Sequence, residues 1–146
     1  PRTPIRPMMT AAEIISLLEL QPLEGGGHHR EIFRDPREVD GRSMGVTAYL
    51  LLEAGEVSAW HRVEATELWQ YYDGAPLEMQ IAGAVTVTAT VGPGLTGDQQ
   101  PQLAVPTGAW RTARTMGPWT LIGTTVAPGL NLGGGFELAP DDWSPA

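Results

Sequence analysis

Three side chains in one short stretch could move protons. They are His61, Glu67 and Tyr71, within Gly55-Glu-Val-Ser-Ala-Trp-His61-Arg-Val63-Glu-Ala-Thr-Glu67-Leu-Trp-Gln-Tyr71-Tyr-Asp-Gly74. Imidazole titrates near neutral pH, which makes His61 the natural proton carrier. Glu67 would orient it and stabilise its charged form, and Tyr71 would donate or accept on the opposite side. Further along, Arg111 would hold an anionic group or stabilise an enolate. The bland alternative is structural: His61 and Glu67 pair because buried polar groups need partners.

For these groups to act together, strands must present them on one surface. Side chains alternate across a strand, so Val63 shares the face of His61, while Glu67, Trp69 and Tyr71 share a face with one another. On an earlier strand the more apolar parity is His29, Glu31 and Phe33, which is expected to face inward. Trp69 and Trp110 at inward positions would stack on a flat or cyclic ligand, with core filling as their ordinary alternative. The expected binding set is therefore His29, Trp69, Gln102, Trp110 and Arg111 around a catalytic set of His61, Glu67 and Tyr71. His28 and His29 are adjacent, so only one of the two rings can face the interior. Arg30, Arg34 and Arg37, interleaved with Glu31, Asp35 and Glu38, read as a solvated or interface strand.

The rest of the chain supplies those strands. Thr10 stands three residues ahead of Glu13, the capping-box spacing, and Ile14, Ile15, Leu17 and Leu18 follow at helical spacing until Pro22. One helix is expected near Thr10–Leu20. Beyond it come short runs broken by glycine and proline: His28–Phe33, Val46–Leu52, Val57–Val63, Glu67–Tyr72, Leu77–Ile81, Ala84–Val91, Leu103–Val105, Trp110–Thr112 and Trp119–Val126. Many short strands with frequent turn signals predict an all-β sandwich or barrel, with a jelly roll as its closed form. The tail after Val126 is rich in glycine and proline and is expected to pack loosely.

A length of 146 residues predicts one domain, placed at residues 10–140 with termini at 1–9 and 141–146. The nine basic residues are all arginine and net charge is -8, a poor match for a phosphate backbone, so no nucleic-acid partner is expected. No apolar stretch approaches a membrane span, and no signal peptide is expected at the proline-broken start, where the native chain would begin at Met8 or Met9. The absence of cysteine excludes thiolate chemistry and fits a cytoplasmic setting.

The spacing of Gly55, His61, Val63, Glu67 and Gly74 resembles the first motif of the cupin superfamily, with Val63 at its second histidine position. Pro106-Thr-Gly108-Ala-Trp-Arg111 is similar to the second motif, with Arg111 where that motif carries its last histidine. Leu20-Gln-Pro-Leu-Glu-Gly-Gly, His61-Arg-Val, Glu67-Leu-Trp, Pro101-Gln-Leu-Ala-Val-Pro and Val126-Ala-Pro-Gly extend the likeness. Together they resemble the uncharacterised cupin family whose members are labelled predicted sugar epimerases. The likeness spans about Ala11 to Leu138. This chain departs from the family pattern at His28-His29, where a tyrosine pair is usual, at Gln70, where a histidine is usual, and at Gly133–Gly135, where phenylalanines are usual.

The resemblance implies a double-stranded β-helix barrel holding a small-molecule ligand, and small cupins commonly dimerise. A homodimer is expected through Glu31–Val39, which offers both charge signs and apolar Ile32 or Phe33. No cofactor is expected: Val63 cannot ligate a metal and Arg111 repels a cation. A divalent transition metal, if present, would take His61 and Glu67 with His28 or His29. The expected activity is an isomerase, epimerase or cyclase using acid–base chemistry, on a polyketide-like natural-product intermediate or another small oxygenated molecule. A non-catalytic binding or sensing barrel is the alternative, and a metal-dependent oxygenase is argued against by the missing ligands.

Overall fold

The computed structural model describes residues 8–130 and 135–145. Gly133 and Gly134 of the glycine-rich departure lie outside them. Helix α1 runs Ala11–Leu17. Its N-cap is Thr10, whose hydroxyl accepts the Glu13 amide at 3.2 Å, half of the anticipated capping box. The helix ends before the expected Pro22, because Glu19 turns into the left-handed region at φ 55 and stops propagation.

Among the described residues thirteen strands follow: β1 Gln21–Pro22, β2 His28–Arg34, β3 Glu38–Val39, β4 Arg42–Ser43, β5 Val46–Glu53, β6 Val57–Val63, β7 Thr66–Gly74, β8 Leu77–Ala82, β9 Thr86–Val91, β10 Gln102–Val105, β11 Trp110–Thr115, β12 Trp119–Ala127 and β13 Phe136–Leu138. Threonine and valine dominate several of them, since branched side chains suit the pleat. The pairs β5·β12, β6·β11, β7·β10 and β8·β9 are all antiparallel. The chain is thus one long antiparallel ribbon folded over itself, the jelly-roll winding. One sheet has the order β1-β2-β5-β12-β7-β10 and the other β13-β6-β11-β8-β9. At the β7–β8 corner Gly74 has φ +88, and a Cβ there would lie 2.5 Å from the Trp119 carbonyl oxygen, so only glycine fits.

Two apolar clusters result. Leu50, Leu52, Trp69, Leu77, Met79, Val91, Val105, Ala113 and Ile122 fill the space between the sheets. Leu51, on the opposite face of β5, packs under α1 with Ile14, Leu20 and Trp119. Each such buried aliphatic contributes roughly 1.5–3 kcal/mol, so the helix is held by its stripe rather than by its own seven residues.

The tail is firmer than its composition predicts. Strand β13 pairs with β6, the Ala139 amide donates to the Trp60 carbonyl at 2.9 Å, and Trp143 packs against Trp60 and Trp110. Glycine and proline here shape a turn, and the aromatic contacts supply the anchoring. Among the described residues no helix is long and apolar enough to cross a membrane.

Candidate functional site

The barrel interior gathers most of the expected chemistry from three strands. Strand β7 carries Glu67 and Trp69 inward, β11 carries Arg111 and β6 carries His61, all buried. Arg111 and His61 face each other across the β6·β11 ladder, but the next partners are Ala113 and Ser58. Strand β6 therefore holds one extra residue, a bulge that turns Ser58 inward beside His61. Strict alternation places Ser58 outside; the bulge is why sequence parity misses it.

Arg111 is 0% exposed, and each of its nitrogens donates to the protein. Nη1 donates to Glu67 Oε1 at 2.9 Å, Nη2 to the Ala109 and Pro106 carbonyls at 2.9 and 3.4 Å, and Nε to Ala109 at 3.2 Å. The same Glu67 oxygen accepts the Trp69 indole N–H at 2.6 Å. Burial pulls the guanidinium down, and the Glu67 charge and hydrogen bond hold it up.

His61 Nδ1 lies 2.7 Å from the Ala59 carbonyl, an acceptor, so this nitrogen carries the proton. In the neutral ring Nε2 is then the lone-pair nitrogen. Burial lowers the His61 pKa, helped by the Arg111 charge and opposed by the Ala59 hydrogen bond and Glu67. The ring is covered by Phe136, with centroids 5.2 Å apart, and lies 6.4 Å from the Trp69 ring.

These residues border a cavity of about 80 Å³. His29, Ser58, His61, Glu67 and Thr124 supply its polar wall, and Leu50, Trp69, Phe136 and Leu138 its apolar one. His29 comes from β2 in the six-stranded sheet and His61 from β6 in the facing sheet, so two imidazoles line one cavity from opposite walls. Burial lowers the His29 pKa as well, against Glu31. Phe136 also borders a wider hollow of about 510 Å³, shared with Arg62, Glu64, Gly108 and Glu137. The sequence signal for this cover is the Phe136-Glu-Leu138 alternation, masked by its glycine-rich surroundings.

Several expected site residues lie elsewhere. Tyr71 packs against the core, but its hydroxyl donates to the Gly74 carbonyl at 2.6 Å and does not line the cavity. Burial, then Asp73, push its pKa up. Tyr71→Phe is therefore expected to leave turnover unchanged while costing about 1 kcal/mol of stability, read by thermal melts. Trp110 faces outward, 4.8 Å from Trp143 and capped by the Arg62 guanidinium at 4.7 Å. It neighbours inward Arg111, and adjacent strand residues take opposite faces. Gln102 is exposed on edge strand β10 and accepts from Gln70 at 3.3 Å. The expected inward face His29-Glu31-Phe33 fails at Phe33: Glu31 still pairs with Ala48 on the face of His29, though exposed, but β2 then slips register between Glu31 and Phe33, and Phe33 is 54% exposed.

The metal alternative does not fit the interior. At the two motif positions that would add ligands stand apolar Val63 and a guanidinium already paired to Glu67. His28 cannot complete the set, because it pairs with Leu51 on the outer face of the sheet; His29 shares the cavity with His61 and Glu67, but among the described residues the ligand atoms of these three do not all come within 4.8 Å of one another. The His28 ring nitrogen instead lies within 4.8 Å of the Glu53 and Glu56 carboxylates, and its buried Nδ1 has no hydrogen-bond partner. Purified protein is expected to carry well under one transition metal per chain. Stoichiometric zinc, iron or nickel that disappears in His61→Ala, by elemental analysis after mild dialysis, would overturn this.

The family model described as Cupin superfamily (DUF985) matches residues 12–139. A solved protein from Shewanella oneidensis is 31% identical, with a TM-score of 0.85 over 90% of this chain and 85% of that one. A hypothetical protein from Leishmania major is 25% identical, with a TM-score of 0.84 over 90% of this chain and 88% of that one. A Bacillus subtilis oxalate decarboxylase variant is 14% identical, with a TM-score of 0.61 over 80% of this chain and 29% of that one, a likeness of fold alone. No curated protein matches the chain.

Proposed function

Because the chain belongs to the cupin superfamily, in the family designated DUF985, we propose that its barrel binds a small molecule and moves protons on it as an isomerase or epimerase. The observation that carries this reading is the pair of imidazoles, His61 and His29, on opposite walls of one cavity. His61 Nε2 takes a proton from the carbon beside a carbonyl. Delivery of that proton by His61 to the adjacent carbon, with the hydroxyl proton moving to the former carbonyl oxygen, gives isomerisation; delivery of a different proton by protonated His29 to the opposite face of the same carbon inverts it, leaving His29 neutral and His61 protonated. Glu67 carries the negative charge that favours the protonated ring, and Trp69 and Arg111 fix the Glu67 carboxylate in place.

The test is exchange of α-protons for deuterium in small carbonyl compounds, followed by NMR in heavy water. Protein-dependent exchange that His61→Ala abolishes supports the reading; exchange indifferent to His61 ends it. The second reading, a non-catalytic binding barrel, is favoured by the mutual saturation of Glu67 and Arg111. Binding with no exchange of any α-proton would establish it. A polyketide-like ligand, as a cyclase would need, enters an 80 Å³ cavity only by its reacting end.

Residues 10–140 are read as one cytoplasmic domain that pairs with a second copy. Strand β1 covers only the start of β2, leaving Ile32 and Phe33 about half exposed on its free edge. Phe33→Glu is expected to convert a dimer to a monomer in light scattering at micromolar concentration. A monomer before mutation would exclude the assembly.

A further inference from the structure

The charges around the cavity restrict what can enter it. Arg111 has no side-chain exposure, and each of its nitrogens donates to Glu67 or to a backbone carbonyl. No arginine is among the described residues that line the cavity. Burial lowers the pKa of both wall imidazoles, His61 and His29, which keeps them mainly neutral at physiological pH, and Glu67 is the one carboxylate among the described lining residues. An entering anion would meet a negative group and no uncommitted cation, after losing its own hydration. An unpaired charge moved out of water is far costlier than a neutral polar group.

The polar wall also has a definite sense. His61 Nε2 is a lone-pair acceptor, Glu67 accepts, and Ser58 and Thr124 hydroxyls can donate. In Glu67 both protein donors go to Oε1. A ligand satisfies this wall by donating through a hydroxyl towards the acceptors and accepting through a carbonyl from the hydroxyls. Size narrows the choice further. An engineered hollow of about 150 Å³ holds benzene, so 80 Å³ admits about three to five non-hydrogen atoms, with any larger remainder passing Phe136.

We propose that the cavity takes an uncharged α-hydroxy-carbonyl group, either as a small molecule or as the end of a larger one, and discriminates against the corresponding carboxylate. This rests on the reading of the cavity as the functional site. It names the substrate class for that reading and assigns Arg111 a structural, charge-neutralising part in place of anion binding.

The test compares glycolamide with glycolate, which share shape and the number of non-hydrogen atoms and differ in charge. Each is titrated into the whole protein at neutral pH, with the His61 ring signals and the Trp69 indole N–H followed by NMR. Glycolamide is expected to shift both signals and to bind at least about tenfold more tightly than glycolate. Glycolate binding equally or better at the same signals would overturn the neutral-ligand proposal and leave the cavity standing as a ligand site. If neither compound moves the His61 or Trp69 signals at millimolar concentration, the cavity reading fails and takes the proposal with it. Glu67→Gln keeps an oxygen acceptor for Arg111 and removes the negative charge. In that variant glycolate should gain affinity relative to glycolamide; an unchanged ratio in the folded variant would refute the charge argument. Where the variant does not fold, the comparison on the unaltered protein decides.

Discussion

Arg111→Leu is expected to destabilise the fold by about 3–5 kcal/mol, because it strands the Glu67 charge in the barrel wall. The guanidinium is fully enclosed and the Glu67 side chain is 12% exposed, so water can do little to relieve either partner alone. For a chain of this length the loss should lower the melting temperature by on the order of 10 °C. Glu67→Leu alone should cost a similar amount, since it leaves the cation buried with only carbonyl partners. The double variant Glu67→Leu, Arg111→Leu removes both charges together and should recover much of the loss, as apolar replacements of buried pairs often do. Denaturant melts on the four proteins give the coupling directly. Additive single losses would show that the 2.9 Å contact contributes no coupling.

His61→Ala is expected to lower the rate of α-proton exchange by about 10²–10⁴-fold, the usual contribution of a positioned acid or base. The melting temperature should move far less than in the Arg111 variant, since Nδ1 makes a single bond, to the Ala59 carbonyl. The pH dependence has a definite sign. The neutral ring is the base, so activity should persist below the ordinary imidazole value of 6.5 and fall at the lower folded pKa. The unfolded chain binds this proton at higher pH than the native one. Stability therefore declines as pH falls from 6.5 through the folded value, with His29 adding to the same window. Activity that instead rises on acidification would show that the imidazolium is the working form.

The architecture was legible because it depends on short-range rules. The nine strand runs between His28 and Val126 all coincide with observed strands, and Val57–Val63 does so to the residue. Turn residues bound each run, and alternation marks the buried face. The spacing of Gly55, His61, Glu67 and Gly74 brought the family into view for the same reason: a strand, a turn and a strand hold these residues at fixed offsets. Glu67 and Trp69 share an inner face as alternation requires, and the cupin membership matches the barrel read from the motifs.

Alternation fails where the ladder slips. Bulges on β6 and β2 turn Ser58 inward and leave Ile32 and Phe33 exposed, and no residue type in those strands announces them. Assigning Trp110 and Arg111 the same face was an error that adjacency alone rules out. Which polar groups remain free for a ligand is a different kind of question. Tyr71, Trp110 and Gln102 have suitable chemistry, but Tyr71 and Gln102 spend their polar groups on Gly74 and Gln70 while the Trp110 ring stacks outside with Trp143 and Arg62. Arg111 reads as an anion binder until its carbonyl and carboxylate partners are in view. Sequence by itself determined the strands, the helix cap and the barrel, since periodicity and local spacing encode them. Only the tertiary structure decided which charges cancel and which nitrogen faces the cavity. The charge pairs depend on partners distant in the chain, forty-four residues apart for Glu67–Arg111 and seventy-five for Arg62–Glu137, and no local pattern records a contact made across the barrel.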